Sequence, residues 1–115
     1  MEIESNQIDG VTILALFGTL DALTAAQLEG AVESALSAEE RQLVLNLADL
    51  IFLSSAGLRT LITATRAARE HDGDLRVAAV SERVRRVLEL AGFDRIVPVF
   101  DTVDDAVTSY TDETP

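Results

Sequence analysis

Apolar residues recur along this chain in short blocks that alternate between a strand-like run and a helix-like stripe. Ile3 to about Gln7 predicts a short edge strand, and Asp9-Gly10 after it is a hairpin turn signal. Val11 to Phe17 is nearly continuous in apolar residues, the pattern of a strand covered on both faces, and Gly18 is expected to end it. Thr24 and Gln27 have the spacing of a capping box. Behind them Leu28, Val32, Ala35 and Leu36 fall on one helical stripe.

Leu43 to Leu47 predicts the next buried strand. After Ser54-Ser55-Ala56-Gly57 a second helix is expected, with Leu58, Leu61, Ile62 and Ala68 facing inward and Gly73 as its C′ stop. Leu75 to Val80 reads as a strand. Ser81 is placed to cap a third helix with Val84, Val87, Leu88 and Ala91 on its inner stripe, and Gly92 to end it. Ile96 to Phe100 is a short strand that Pro98 confines to a sheet edge. A last helix runs from Thr102, where Thr102 and Asp105 resemble a capping pattern, to about Tyr110.

The order β-β-α-β-α-β-α-β-α implies an α/β domain with a mixed, mostly parallel sheet of about five strands, about four helices and an N-terminal β-hairpin. One domain is expected over residues 1–110, with 111–115 as a frayed tail. At 115 residues such a domain buries a core without a metal or disulfide staple.

Composition removes several function classes. The chain has no cysteine, which excludes disulfides, thiolate catalysis and thiolate zinc sites. No apolar run approaches the ~20 residues of a membrane span, and the first residues carry no secretion pattern, so a cytoplasmic location without membrane insertion is expected. The net charge of −11 repels phosphate backbones and argues against nucleic-acid binding. All nine basic residues are arginine: residues 1–58 have net charge −8, residues 59–95 have +2, and residues 96–115 have −5. The one stretch that is not acidic therefore follows Ser55 directly. Solvated helix faces explain single arginines, yet Arg also suits bidentate carboxylate recognition by a protein partner.

In open α/β sheets, ligands gather outside the C-terminal ends of the parallel strands. Gly18 to Asp21, Leu50 to Gly57 and Ser81-Glu82 should converge there, bringing Asp21, Ser55 and Ser81 to one rim. Leu50 to Leu58 places bulky apolar residues directly before two serines at a helix start. A serine there can cap the helix, or, if exposed, carry a phosphate that the free N–H groups and helix dipole favour.

Catalysis by that serine is not expected. The only histidine, His71, lies sixteen residues beyond Ser55 on the same helix, roughly 24 Å away at ~1.5 Å per residue. It is better placed to cap the helix C-terminus. Leu53 stands where a G-x-S-x-G elbow needs glycine, and neither a calcium loop nor a phosphate-binding loop is present. The chain reads as a regulatory binding module with no cofactor and no metal.

Gly18 to Thr24 and Leu43 to Leu58 resemble the two signature stretches of STAS domains, specifically bacterial anti-sigma factor antagonists. Val80 to Val84, Leu90 to Phe93 and Asp104 to Ala106 extend the resemblance over essentially the whole chain. It implies a protein that binds a serine-kinase anti-sigma factor, frees the sigma factor, and is switched off when the kinase phosphorylates a serine that a phosphatase later clears. That serine matches Ser55, and the acidic residue beside it matches Asp21. The kinase-contacting surface matches Ala56, Gly57, Leu58, Arg59 and Ile62 around Ser54 and Ser55. The chain departs from the family pattern in having Ser54 where Asp usually precedes the target, which makes Ser54 a rival acceptor, and Ala56 where Ser or Thr follows. STAS domains also serve as accessory parts of membrane transport systems, and under that alternative the serine would be an unmodified cap or contact. A monomer is expected.

Overall fold

Side chains alternate across a strand, and in the longest strand that alternation divides two cores. The computed structural model describes residues 1–111. Its strands are β1 (Glu2–Ile8), β2 (Val11–Leu20), β3 (Gln42–Asn46), β4 (Leu50–Leu53), β5 (Asp74–Ala78) and β6 (Val99–Phe100). Its helices are α1 (Ala25–Ser37), α2 (Ser55–Glu70), α3 (Glu82–Leu90) and α4 (Val103–Thr111), with a 3-10 turn over Phe93–Arg95. Along β2, Leu14, Leu16 and Leu20 enter a core shared with Leu28 and Val32 of α1, Leu61 of α2, and Val84 and Leu88 of α3. Val11 and Ile13 enter a second core with Val44, Ala78 and the α4 residues Ala106, Val107 and Tyr110. The sheet thus lies between three helices on one face and α4 on the other, which is why β2 is apolar almost throughout.

The sheet order is β1-β2-β3-β5-β6, with β4 paired to β2 off this path. β1 runs antiparallel to β2 through the Asp9-Gly10 turn, and the remaining pairings are parallel. β6 lies at the edge, as Pro98 predicted. On the α4 face, the Tyr110 hydroxyl donates to the Leu43 carbonyl at 2.9 Å. The buried Arg76 guanidinium stacks 3.9 Å from that tyrosine ring, so one aromatic ties both α4 and a strand cation into the second core.

Several expectations need correction. The sheet has six strands, because Leu50–Leu53 pairs with an extended β2. Gly18 does not end β2: with φ 109° it carries a register shift, its N–H donates to the Asp49 carbonyl at 3.1 Å, and the strand continues to Leu20. The Thr24–Gln27 capping box does not form, since the Thr24 hydroxyl donates instead to the Thr19 carbonyl at 2.8 Å. At the end of α2, Asp72 takes the left-handed position (φ 62°), and Gly73 follows it, donating to the Ala68 carbonyl at 2.8 Å. On α2, Leu58 and Ile62 are only half-buried. β5 stops at Ala78 because Ala79 turns left-handed (φ 61°). Ala91 is exposed beyond the end of α3, and Ile96 follows the 3-10 turn outside β6. α4 includes Thr111, and the rest of the expected tail, 112–115, lies outside the described residues.

Glu39 follows the last turn of α1 with φ 63°, a conformation in which its Cβ crowds the backbone. Glu39→Gly is expected to raise the unfolding free energy by about 0.5–1 kcal/mol, read as a higher urea midpoint at unchanged slope.

Candidate functional site

The site forms where the tail of β2 pairs with β4. Leu20 lies opposite Leu53 in a parallel pair, so the residues that follow each, Asp21 and Ser54, emerge side by side. The Ser54 N–H donates to the Leu20 carbonyl at 3.1 Å. Three residues on, Gly57 passes so close that a Cβ there would collide with that same carbonyl oxygen. The sequence can start α2 against β2 only because glycine stands at this position.

The two serines divide their work. Ser54 is the N-cap, with extended backbone (φ −86°, ψ 171°), and its Oγ accepts from the Gly57 N–H at 3.1 Å. Its carbonyl accepts from the Leu58 N–H at 2.9 Å. Ser55 is the first helical residue and its side chain is exposed. With the Gly57 and Leu58 amides engaged, those of Ser55 and Ala56 remain as first-turn donors at the positive end of the helix dipole.

Asp21 is half-buried and acts locally as a turn former. Its Oδ1 accepts from the amides of Leu23 at 2.9 Å and Thr24 at 3.1 Å, which fixes the loop beside α2. Ser81 lies at the same strand-end edge but is occupied as the α3 cap, its Oγ accepting from the Val84 N–H at 3.3 Å. Ser54, Ser55 and Asp21 are therefore brought together, whereas Ser81 belongs to the neighbouring helix start, with α3 packed against β4. Ala56, Leu58 and Ile62 are half-buried, Arg59 is exposed, and Gly57 is buried under Leu20. His71 caps the far end of α2, with Nδ1 2.8 Å from the Ala67 carbonyl.

An apolar fringe around this junction was not anticipated. Leu23 is 92% exposed, Ile51 68% and Phe52 49%. The apolar block Leu50–Leu53 was visible in the sequence, but its outward-facing middle appears only once β4 is recognised as a strand with covered ends. Among the described residues there is no cluster of three or more potential metal ligands, and no helix is long and apolar enough to cross a membrane.

The STAS domain profile matches residues 2–106. BtrV of Bordetella bronchiseptica, whose name also places it among anti-sigma factor antagonists, is 32% identical over 115 residues, 100% of this chain and 99% of BtrV. The anti-sigma-F factor antagonist RsfB of Mycobacterium tuberculosis is 33% identical over 100 residues, 87% of this chain and 81% of RsfB. The crystal structure of an anti-sigma factor antagonist from Mycobacterium paratuberculosis superposes with a TM-score of 0.85 at 30% identity, covering 94% of this chain and 92% of that one.

The junction predicts a contrast between neighbouring serines. Ser54→Ala should lower stability by about 1 kcal/mol through loss of the cap, whereas Ser55→Ala should change it by less than about 0.5 kcal/mol. Gly57→Ala forces a backbone shift against Leu20 and should cost about 1–3 kcal/mol. Urea denaturation of the three variants measures all of these.

Proposed function

The chain belongs to the STAS domain family, and from that premise we propose that it is an anti-sigma factor antagonist that binds a serine-kinase anti-sigma factor and so releases a sigma factor. In this reading the kinase transfers the γ-phosphoryl group of ATP to Ser55 Oγ, giving ADP and an inactive antagonist, and a serine phosphatase restores it. The observation that carries the reading is the division between the serines: Ser54 is engaged as the cap, and Ser55 is exposed at the first helical position. The full-length similarity to BtrV supports the same role.

The geometry accounts for a switch that does not require unfolding. A phosphate adds roughly −1.5 to −2 charges, and at Ser55 it meets the free first-turn amides and the helix dipole, so the folded state tolerates it. A partner seated on Asp21, Ser54, Ala56, Leu58, Arg59 and Ile62, with Leu23, Ile51 and Phe52 as apolar anchors, meets a bulky hydrated anion instead of a hydroxyl. Gly57 serves this surface from beneath by letting α2 begin against Leu20. A cytoplasmic setting, where sigma factors act, belongs to the same reading.

Incubation with the cognate serine-kinase anti-sigma factor and ATP, followed by peptide mass spectrometry, tests the assignment. One added phosphate is expected on the wild-type chain and on Ser54→Ala, and none on Ser55→Ala. A phosphate lost only in Ser54→Ala would move the site by one residue. Neither phosphate nor binding would overturn the reading in favour of a transport-accessory role.

A further inference from the structure

The exposed serine stands at the head of a charged stripe of which the functional reading above uses only the first turns. At 100° per residue, Thr63, Ala67 and His71 fall on one flank of α2, and they line the groove against α1. Ser55, Arg59 and Arg66 lie on the outward face of α2, opposite the core residues Ala64 and Ala68, and Leu58, Ile62 and Arg69 lie toward the flank turned away from α1. Arg69 fixes that flank's direction, because its Nη2 donates to the Ile96 carbonyl at 2.7 Å, beyond the end of α3. The side of α2 that carries Leu58, Ile62 and Arg69 therefore faces the chain beyond the end of α3.

Helix α3 answers it. Val84 and Leu88 point into the core, and Arg85 reaches the other way to Asp101 at 3.2 Å. Arg83, Val87 and Leu90 lie on the flank of α3 away from Asp101, with Arg86 next to them on the outward face, and these four share one shallow depression with Glu82. Arg59, Arg66, Arg83 and Arg86 are exposed and have no carboxylate within 4.0 Å among the described residues, unlike Arg69, Arg76 and Arg85. Leu90 is 83% exposed in their midst.

Resting on the functional reading above, we propose that this α2–α3 face docks an acidic, leucine-gripping segment of the serine-kinase anti-sigma factor, extending the interface beyond the Ser55 helix terminus. Charge complementarity selects the occupant. Residues 59–95 have net charge +2, whereas residues 1–58 have −8 and residues 96–115 have −5. An acidic segment is repelled by the rest of the molecule and attracted here, which sets its register as well as its affinity. Guanidinium forks with no internal partner are suited to bidentate carboxylate contacts, and the Val87–Leu90 depression supplies the apolar grip. A phosphate on Ser55 lies at the head of the same stripe, one turn from Arg59, where it draws on the arginines that the partner's carboxylates use.

The test is a set of single charge reversals titrated against the cognate kinase. Arg83→Glu and Arg86→Glu, both far in sequence from Ser55 and exposed, should each weaken binding by about tenfold. They should also flatten its dependence on ionic strength. Arg41→Glu makes the same charge change just before β3, at the opposite end of the sheet, and should alter affinity by less than about threefold. Equal affinities for Arg41→Glu, Arg83→Glu and Arg86→Glu, with Ser55→Glu still blocking binding, would overturn the arginine face and leave the functional reading intact. Failure of the wild-type chain to bind the kinase would overturn both. Thermal melts verify that each variant is folded.

Discussion

The site depends on how the Leu20 backbone meets the start of α2. The Leu20 carbonyl accepts the Ser54 N–H, and Gly57 lies against the same oxygen with no room for a Cβ. That approach requires β2 to extend past Gly18, β4 to pair with its tail, and glycine to occupy the third position of the helix. Once these are met, the cap, the exposed first-turn serine and the Asp21 turn are fixed together. The residues proposed to face the partner therefore stand on a short junction between two strands and a helix, not on a free loop, which is the placement a recognition surface needs.

The same arrangement separates the stability of the fold from the chemistry of its surface. The cores lie on either side of the sheet, one beneath α1, α2 and α3 and one beneath α4. Ser55 contributes its side chain to neither. An added charge there acts on whatever approaches α2, and the first-turn amides keep it compatible with the helix. The phosphorylation cycle proposed above needs this independence, since unfolding at each turn would expose the apolar residues, about half of the chain, to aggregation.

Much of this was legible in the sequence because the determining forces are local and periodic. The α1 stripe, the Asp9-Gly10 hairpin and the Ser81 cap follow from 3.6-residue spacing, turn chemistry and capping preference. The junction was less so. Leu50 to Leu53 is too short to announce a strand, and it becomes one only because the tail of β2 offers unpaired backbone groups. Gly18 looked like a terminator, since its φ of 109° suits a turn as well as the register shift it carries. Which serine caps α2 was also undecided, because the two are chemically identical and one residue apart. The extended backbone of Ser54 and the hydrogen bond that its Oγ accepts from the Gly57 N–H settle it. Arg76 is a further case: a cation inside a strand is accommodated by groups distant in sequence, the Tyr110 ring that covers it and the Ser109 hydroxyl that accepts from it at 2.6 Å, together with Asp74 at 3.5 Å.

The most direct test compares the unmodified chain with chain quantitatively phosphorylated on Ser55, measuring kinase affinity and thermal unfolding on the same two samples. The account predicts at least a hundredfold loss of affinity, about 2.8 kcal/mol at 1.4 kcal/mol per factor of ten, with a melting temperature unchanged within a few degrees. Undiminished binding by the phosphorylated chain would contradict the account. So would a loss of binding that merely follows the collapse of the fold.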